Sequence, residues 1–129
     1  MDVKLPFGHE FSDRYTSYGE GVSFPIKFKK IPEEAETLAL KLENVSFGDG
    51  QKESKIYWVM WNIPAGRDVP ENIEHGETVK DLEGAEQGNN DFKVLGYTAP
   101  GRYRGKQDFR LTVFALDTKL SIPTGSGFQ

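Results

Sequence analysis

Hydrophobic and polar residues alternate with a period of two in three stretches of this chain, as strands do when one face meets a core. In TLALKLEN, Leu38, Leu40 and Leu42 share a face with Asn44, while Ala39, Lys41 and Glu43 share the other. In YWVMWNI, the alternation groups Tyr57, Val59, Trp61 and Ile63. In QDFRLTVFALD it groups Gln107, Phe109, Leu111, Val113 and Ala115. Segments 11–15, 22–28 and 92–97 are weaker strand candidates. IPEEAETLALKL starts with helix formers but turns to the strand period at Thr37, so little helix is expected. Asp49-Gly50, between the first two strands, is a hairpin-type turn signal and predicts antiparallel pairing. Residues 64–91 read as a long polar loop with one helical turn near Pro70, and a loop of that length is expected to be mobile or functional. The pattern predicts a mainly β fold, a β-sandwich of antiparallel and mixed sheets.

Each of the three clear strands ends or starts its apolar face with a hydrogen-bonding group: Asn44, Tyr57 and Gln107. Antiparallel pairing of the first two puts Asn44 and Tyr57 at one end of the sheet. Gln107 joins them if its strand runs in the same direction as the Tyr57 strand. The result would be a polar mouth above an apolar core, the chemistry of a small-ligand pocket. Strand faces also become polar wherever they reach solvent, and phase alone does not separate the two explanations.

Composition narrows the function classes. The 129 residues suffice for one domain with a core that needs no staples. The chain has no cysteine, which excludes disulfides, zinc–thiolate sites and a thiol nucleophile. MDVKLPFGHEF has no apolar stretch of signal-peptide type, and no apolar run approaches the ~20 residues that span a membrane. A soluble, cytoplasmic protein is expected. A net charge of -4 argues against nucleic-acid binding. The clusters Lys27, Lys29, Lys30 and Arg102, Arg104, Lys106 read as solvated faces.

No serine lies in a Gly-x-Ser-x-Gly elbow. His9 beside Glu10 and His75 beside Glu74 read as surface pairs rather than metal ligands. FGDGQKESK lacks the spacing of a phosphate loop and reads as a turn. The expectation is no enzyme, no cofactor and no metal.

YWVMWNIPA, followed by GNNDFKVLGYTAPGRYRGKQDFRLTVFALD, resembles the phosphatidylethanolamine-binding protein family, and most closely its bacterial branch, the Raf kinase inhibitor-like proteins. DRYTSYGEGVSFPIKF is similar to that branch's early segment. The resemblance runs from about residue 10 to Ile122, and its most specific pieces are WNIPA, GNNDF followed by GY, and the closing FALD. It implies the family's fold and a non-enzymatic role in binding phospholipid headgroups or regulating kinases.

The resemblance also implies a site. Where the family carries Asp-Pro-Asp-x-Pro, this chain has Asn44-Val45-Ser46-Phe47-Gly48. The family's His-Trp pair corresponds to Tyr57-Trp58, and its Gly-Pro-x-Pro-Pro loop to Ala99–Tyr103, in which only Pro100 is kept. Its His-Arg-Tyr corresponds to Gln107-Asp108-Phe109. The implied ligand-binding residues are Asn44, Ser46, Tyr57, Trp58, Pro100, Arg102 and Gln107. The positions reached by strand phase are therefore those that the family fills with Asp, His and His.

Neutral hydrogen bonds are about half as strong as charge-assisted ones, so phosphate affinity through these positions should be weak. Arg102 and Arg104 would compensate if they face the pocket. The expected partner is a small anionic or polar ligand. The competing reading is a protein-interaction or structural subunit whose pocket is filled by Tyr57 and the GRYRG loop. Relatives continue past the ALD strand into a helical segment, whereas this chain ends at TGSGFQ. Either the site is more open, or a second copy or another protein covers it, and a homodimer is the expected form.

Overall fold

The three alternating stretches become neighbours in one sheet. The computed structural model describes residues 1–46, 55–101 and 107–121, so the turn expected at Asp49-Gly50 lies outside the described residues. The elements are β1 (Asp2–Lys4), a 3-10 turn (Asp13–Tyr15), β2 (Lys27–Lys29), β3 (Thr37–Asn44), β4 (Lys55–Pro64), β5 (Glu86–Gln87) and β6 (Phe109–Leu116). β1 and β2 form a two-stranded sheet, and a four-stranded sheet runs β5-β4-β3-β6. The pairings between these strands are antiparallel. β4 and β6 both run opposite to β3 and so share a direction, which meets the condition set for Gln107. No helix among the described residues is long and apolar enough to cross a membrane.

The leucines of β3 behave as their period predicts: Leu38, Leu40 and Leu42 are buried in the core cluster. β4 does not keep its phase. Leu40 faces Met60 and Leu42 faces Trp58, so Met60 and Trp58 join the leucine face, while Val59 faces Lys41 on the other side. The grouping of Tyr57, Val59, Trp61 and Ile63 on one face is thereby corrected. Two register breaks are the cause. One lies between Leu38 and Leu40 and the other between Leu42 and Glu43, and each gives β4 one extra residue. The second break falls at Tyr57, which is buried beside Trp58, at 1% and 0% exposed.

The first break is built on Asn62, whose φ of 57° lies in the left-handed region that asparagine tolerates better than most residues. Its Nδ2 donates to Leu120 O at 2.9 Å and its Oδ1 accepts from Leu120 N–H at 2.7 Å, so the amide acts as a stretch of backbone. Thr37 Oγ1 donates to Thr118 O at 2.7 Å. The chain leaving β6 is thus led across β3 to β4.

On the leucine side the core is closed by Phe24, Ile26 and Phe28 from the N-terminal third, with Trp58, Phe24 and Tyr97 meeting edge to face at 5.4–5.8 Å. Residues 64–91, read from the sequence as a long polar loop, also contribute. Val69, Ile73, Val79, Leu82 and Ala85 are buried there, and β5 lies within the segment. Near Pro70 the backbone bridges Val69 to Ile26 instead of making a helical turn. Apolar residues of this segment follow neither the strand nor the helix period, so pattern alone gives them no face. Two weaker strand candidates are corrected as well: 11–15 contains the 3-10 turn, and 92–97 contributes only a bridge from Leu95 to Asn89.

Candidate functional site

Asn44 closes β3 at the end where the apolar face runs out. It is 2% exposed, so both ends of its amide need partners. Nδ2 donates to Gln107 Oε1 at 2.9 Å, and Oδ1 accepts from Ser46 N–H at 2.9 Å in a tight turn. Ser46 Oγ accepts from Asp108 N–H at 2.5 Å, and Val45 N–H donates to Asp108 O at 2.8 Å. Residues 44–46 are therefore zipped to the start of β6. Asn44 and Gln107 meet as strand phase predicts, but they satisfy one another.

A cavity of about 610 Å³ lies beside this zipper. Its apolar wall is Leu5, Phe7, Phe11, Phe24 and Phe109, and its polar groups are His9, Glu10, Thr16, Gln107 and Asp108. Pro100 and Gly101 complete it. The rings pack in sequence, Phe7 on Phe11 at 4.8 Å and Phe11 on Phe109 at 5.3 Å. Of the site residues expected from the sequence, Pro100 and Gln107 line this space, and Asn44 and Ser46 stand behind Gln107 and Asp108. Tyr57 lies deeper, its ring edge-on to Phe109 at 5.0 Å and to Phe92 at 4.8 Å. Trp58 is in the core, with Nε1 donating to Gln87 Oε1 at 2.9 Å. Arg102, with Arg104, lies outside the described residues.

Sequence reasoning missed the N-terminal wall. Leu5, Phe7 and Phe11 sit among Pro6, Gly8 and His9, where no period says which way a side chain points. Their apolar character within a breaker-rich stretch was the available signal, and it marks burial without marking a cavity.

The turn that carries Thr16 is clamped to the segment after β4. Arg14 Nε and Nη2 donate to the Glu71 carboxylate at 2.9 and 2.8 Å, and Arg14 also pairs with Glu20. Tyr15 OH donates to Glu71 Oε1 at 2.9 Å. The Arg14 hydrogen bonds, with help from Tyr15, hold the Glu71 carboxyl down at about 2. Burial pushes the Tyr97 phenol well above its ordinary range, and that hydroxyl donates to Tyr15 O at 2.5 Å. Among the described residues no group of three or more His, Asp or Glu is placed to hold a metal ion.

The most specific sequence motifs have structural roles. Asn90 of GNNDF is buried, and its Nδ2 faces Tyr57 O, Gly96 O and Thr98 Oγ1 at 2.7–3.0 Å. Its Oδ1 accepts from the N–H groups of Phe92 and Val94. Gly96, before Tyr97, has φ 146°, and a Cβ there would come within 2.8 Å of the His75 ring. These residues shape the loop leading to Pro100, so they carry fold and position the cavity rim.

Comparisons with known proteins bear on the family and the fold. A UPF0098 protein of Pyrococcus abyssi is 32% identical over 98% of this chain, which spans 71% of that relative. One from Methanothermobacter thermautotrophicus is 34% identical over 92% of this chain and 80% of the relative. A solved phosphatidylethanolamine-binding protein homologue from Chlamydia trachomatis superposes with a TM-score of 0.81 at 25% identity, over 97% of this chain and 80% of that one. The sequence pattern of the phosphatidylethanolamine-binding proteins matches residues 3–129, and this chain belongs to that family.

Proposed function

We propose that the chain is a non-enzymatic binding protein, with a regulatory role through its ligand, and that a small molecule with an apolar body and a polar end enters the cavity beside Gln107. One observation carries this reading: about 610 Å³ of space with a phenyl wall and a hydrogen-bonding rim. Gln107 is half-buried, so its amide is the one able to leave Asn44 and turn to a ligand. Ser46 and Pro100 fix the rim, and Arg102 is the cation assigned to an anionic end. Tyr57 and Trp58 support the wall from behind. Glu10 and Asp108 face the same space, so a bare phosphate dianion should bind weakly and a headgroup ester with an attached acyl chain more tightly.

The test is a titration of inorganic phosphate, phosphoethanolamine and a short-chain phosphatidylethanolamine, read by amide chemical shifts. Saturable shifts at residues 5–11, 100–101 and 107–109, tightest with the lipid, are expected. No shift with any of the three overturns the reading.

A second reading has its own support. Asn44 and Tyr57 are almost fully buried, and the Asn44–Gln107 bond occupies the polar mouth. In a protein-interaction subunit with a filled site, Gln107→Ala and Asn44→Ala would destabilise the fold while leaving ligand response unchanged.

A further inference from the structure

The inner side of the two-stranded sheet is only partly covered. Val3 of β1 pairs with Phe28 of β2, so the two side chains share a face. Phe28 is buried in the core cluster at 8% exposed, yet Val3 on the same face is 39% exposed. That side is therefore closed under β2 and open under β1. By alternation Met1, 41% exposed, falls on the side of Val3. The charged residues Asp2, Lys4, Lys27 and Lys29 fall on the other.

Isolated exposed apolar side chains need no explanation. Met1 and Val3 differ because they continue a wall. Leu5 is next in the alternation, is half-buried, and lines the cavity with Phe7 and Phe24. Extended chain advances about 3.3 Å per residue, so Val3 stands about 7 Å beyond Leu5 and Met1 about 7 Å beyond Val3. Leu5, Val3 and Met1 thus form an apolar strip, one side chain wide, that starts in the cavity and ends in solvent. No charged residue of β1 or β2 lies on its face.

We propose that this strip is a tail subsite: the ligand's apolar body leaves the phenyl wall past Leu5 and lies along Val3 and Met1. The inference rests on the ligand reading above and adds what sets the length of that body. A strip one side chain wide and free of charge fits a single unbranched alkyl or acyl chain. A compact or branched body would fill the cavity and leave the strip bare. Full burial of a methylene raises affinity about fourfold, and a tail on an open strip is covered on one side only, so about twofold per methylene is expected.

The test is a series of lysophosphatidylethanolamines with hexanoyl, octanoyl, decanoyl and dodecanoyl chains, each titrated below its micelle threshold and read by amide shifts at residues 107–109. Affinity should rise steadily along the series. Val3→Thr keeps the β-branched shape, so the strand should persist, and the gain per methylene should shrink. Its dodecanoyl affinity should fall several-fold more than its hexanoyl affinity. In wild type, a nitroxide at the end of the dodecanoyl chain should broaden the amides of residues 2–4 more than those of 107–109. Equal steepness in the two proteins, affinity that does not rise with chain length, or broadening centred on Gln107 would overturn the tail subsite alone. No binding by any member would overturn the ligand reading and the tail subsite with it.

Discussion

Asn62 and Asn44 sit at opposite ends of the same sheet, and each uses both ends of a nearly buried amide. Their partners differ in kind. Both ends of the Asn62 amide bond the main chain of Leu120, which has no rotamer by which to leave, and Glu86 Oε2 is a longer second acceptor for Nδ2 at 3.2 Å. Asn44 bonds its own turn at Ser46 and the side chain of Gln107, which can rotate away while water or a ligand takes its place. One end of the sheet is fastened and the other is latched. Only the latched end borders the phenyl-walled cavity. Under the proposed ligand reading, burial alone would not separate a structural amide from one at a site; the partner's freedom would.

Substitutions can break this contrast, beginning with the largest effect. Asn62→Ala forces an alanine to φ 57° and leaves both polar groups of Leu120 unmatched. Denaturant unfolding should register a loss of about 2–4 kcal/mol. Asn62→Gly should recover about 1 kcal/mol of it, because glycine accepts that backbone. A loss as small as that of a surface change would erase the distinction between the two ends. Asn44→Ala should cost less, about 1–2 kcal/mol, since Gln107 can turn to water. Its amide shifts should concentrate at residues 107–109.

Gln107→Ala sharpens the contrast. Loss of a half-buried partner should cost under about 1 kcal/mol, while the cavity's response to the short-chain lipid weakens several-fold. A stability loss equal to that of Asn62→Ala would make the latch a fastener.

The smallest effect concerns pH. Glu71 is held at about 2, below its ordinary 4.5, so its stabilising contribution is present above that ordinary value and is lost as pH falls through about 2. Protection of the amides of residues 13–16, measured relative to the intrinsic exchange rate at each pH, should therefore fall between pH 4.5 and 2. Glu71→Gln should show low protection throughout, with little change in protection over that range.

Much of this architecture was legible in the chain. The leucine period of β3, the antiparallel neighbours on both sides of it and the meeting of Asn44 with Gln107 all follow from alternation. Phase was lost in β4 because two extra residues, one beside Asn62 and one at Tyr57, each shift the alternation by one. A single positive-φ asparagine inside WNIP leaves no mark that distinguishes it from an ordinary strand residue. The wall made by Phe7 and Phe11 was illegible for a related reason: irregular backbone fixes side-chain direction only through tertiary contacts. The buried apolar residues of 64–91 were hidden by their polar surroundings.

The unbroken pairing of β3 with β6 also bears on how the chain reaches its fold. Partners in that ladder are separated by 65 to 79 residues, from Asn44 with Phe109 to Thr37 with Leu116. β3 can find β4 soon after both are made, but its other side stays open until β6 has been synthesised. Closing so long a loop carries an entropic cost before any contact repays it, which makes the last step slow. During translation the leucine strand would stand exposed on that side, so the interval before β6 arrives is when this protein most needs protection from aggregation.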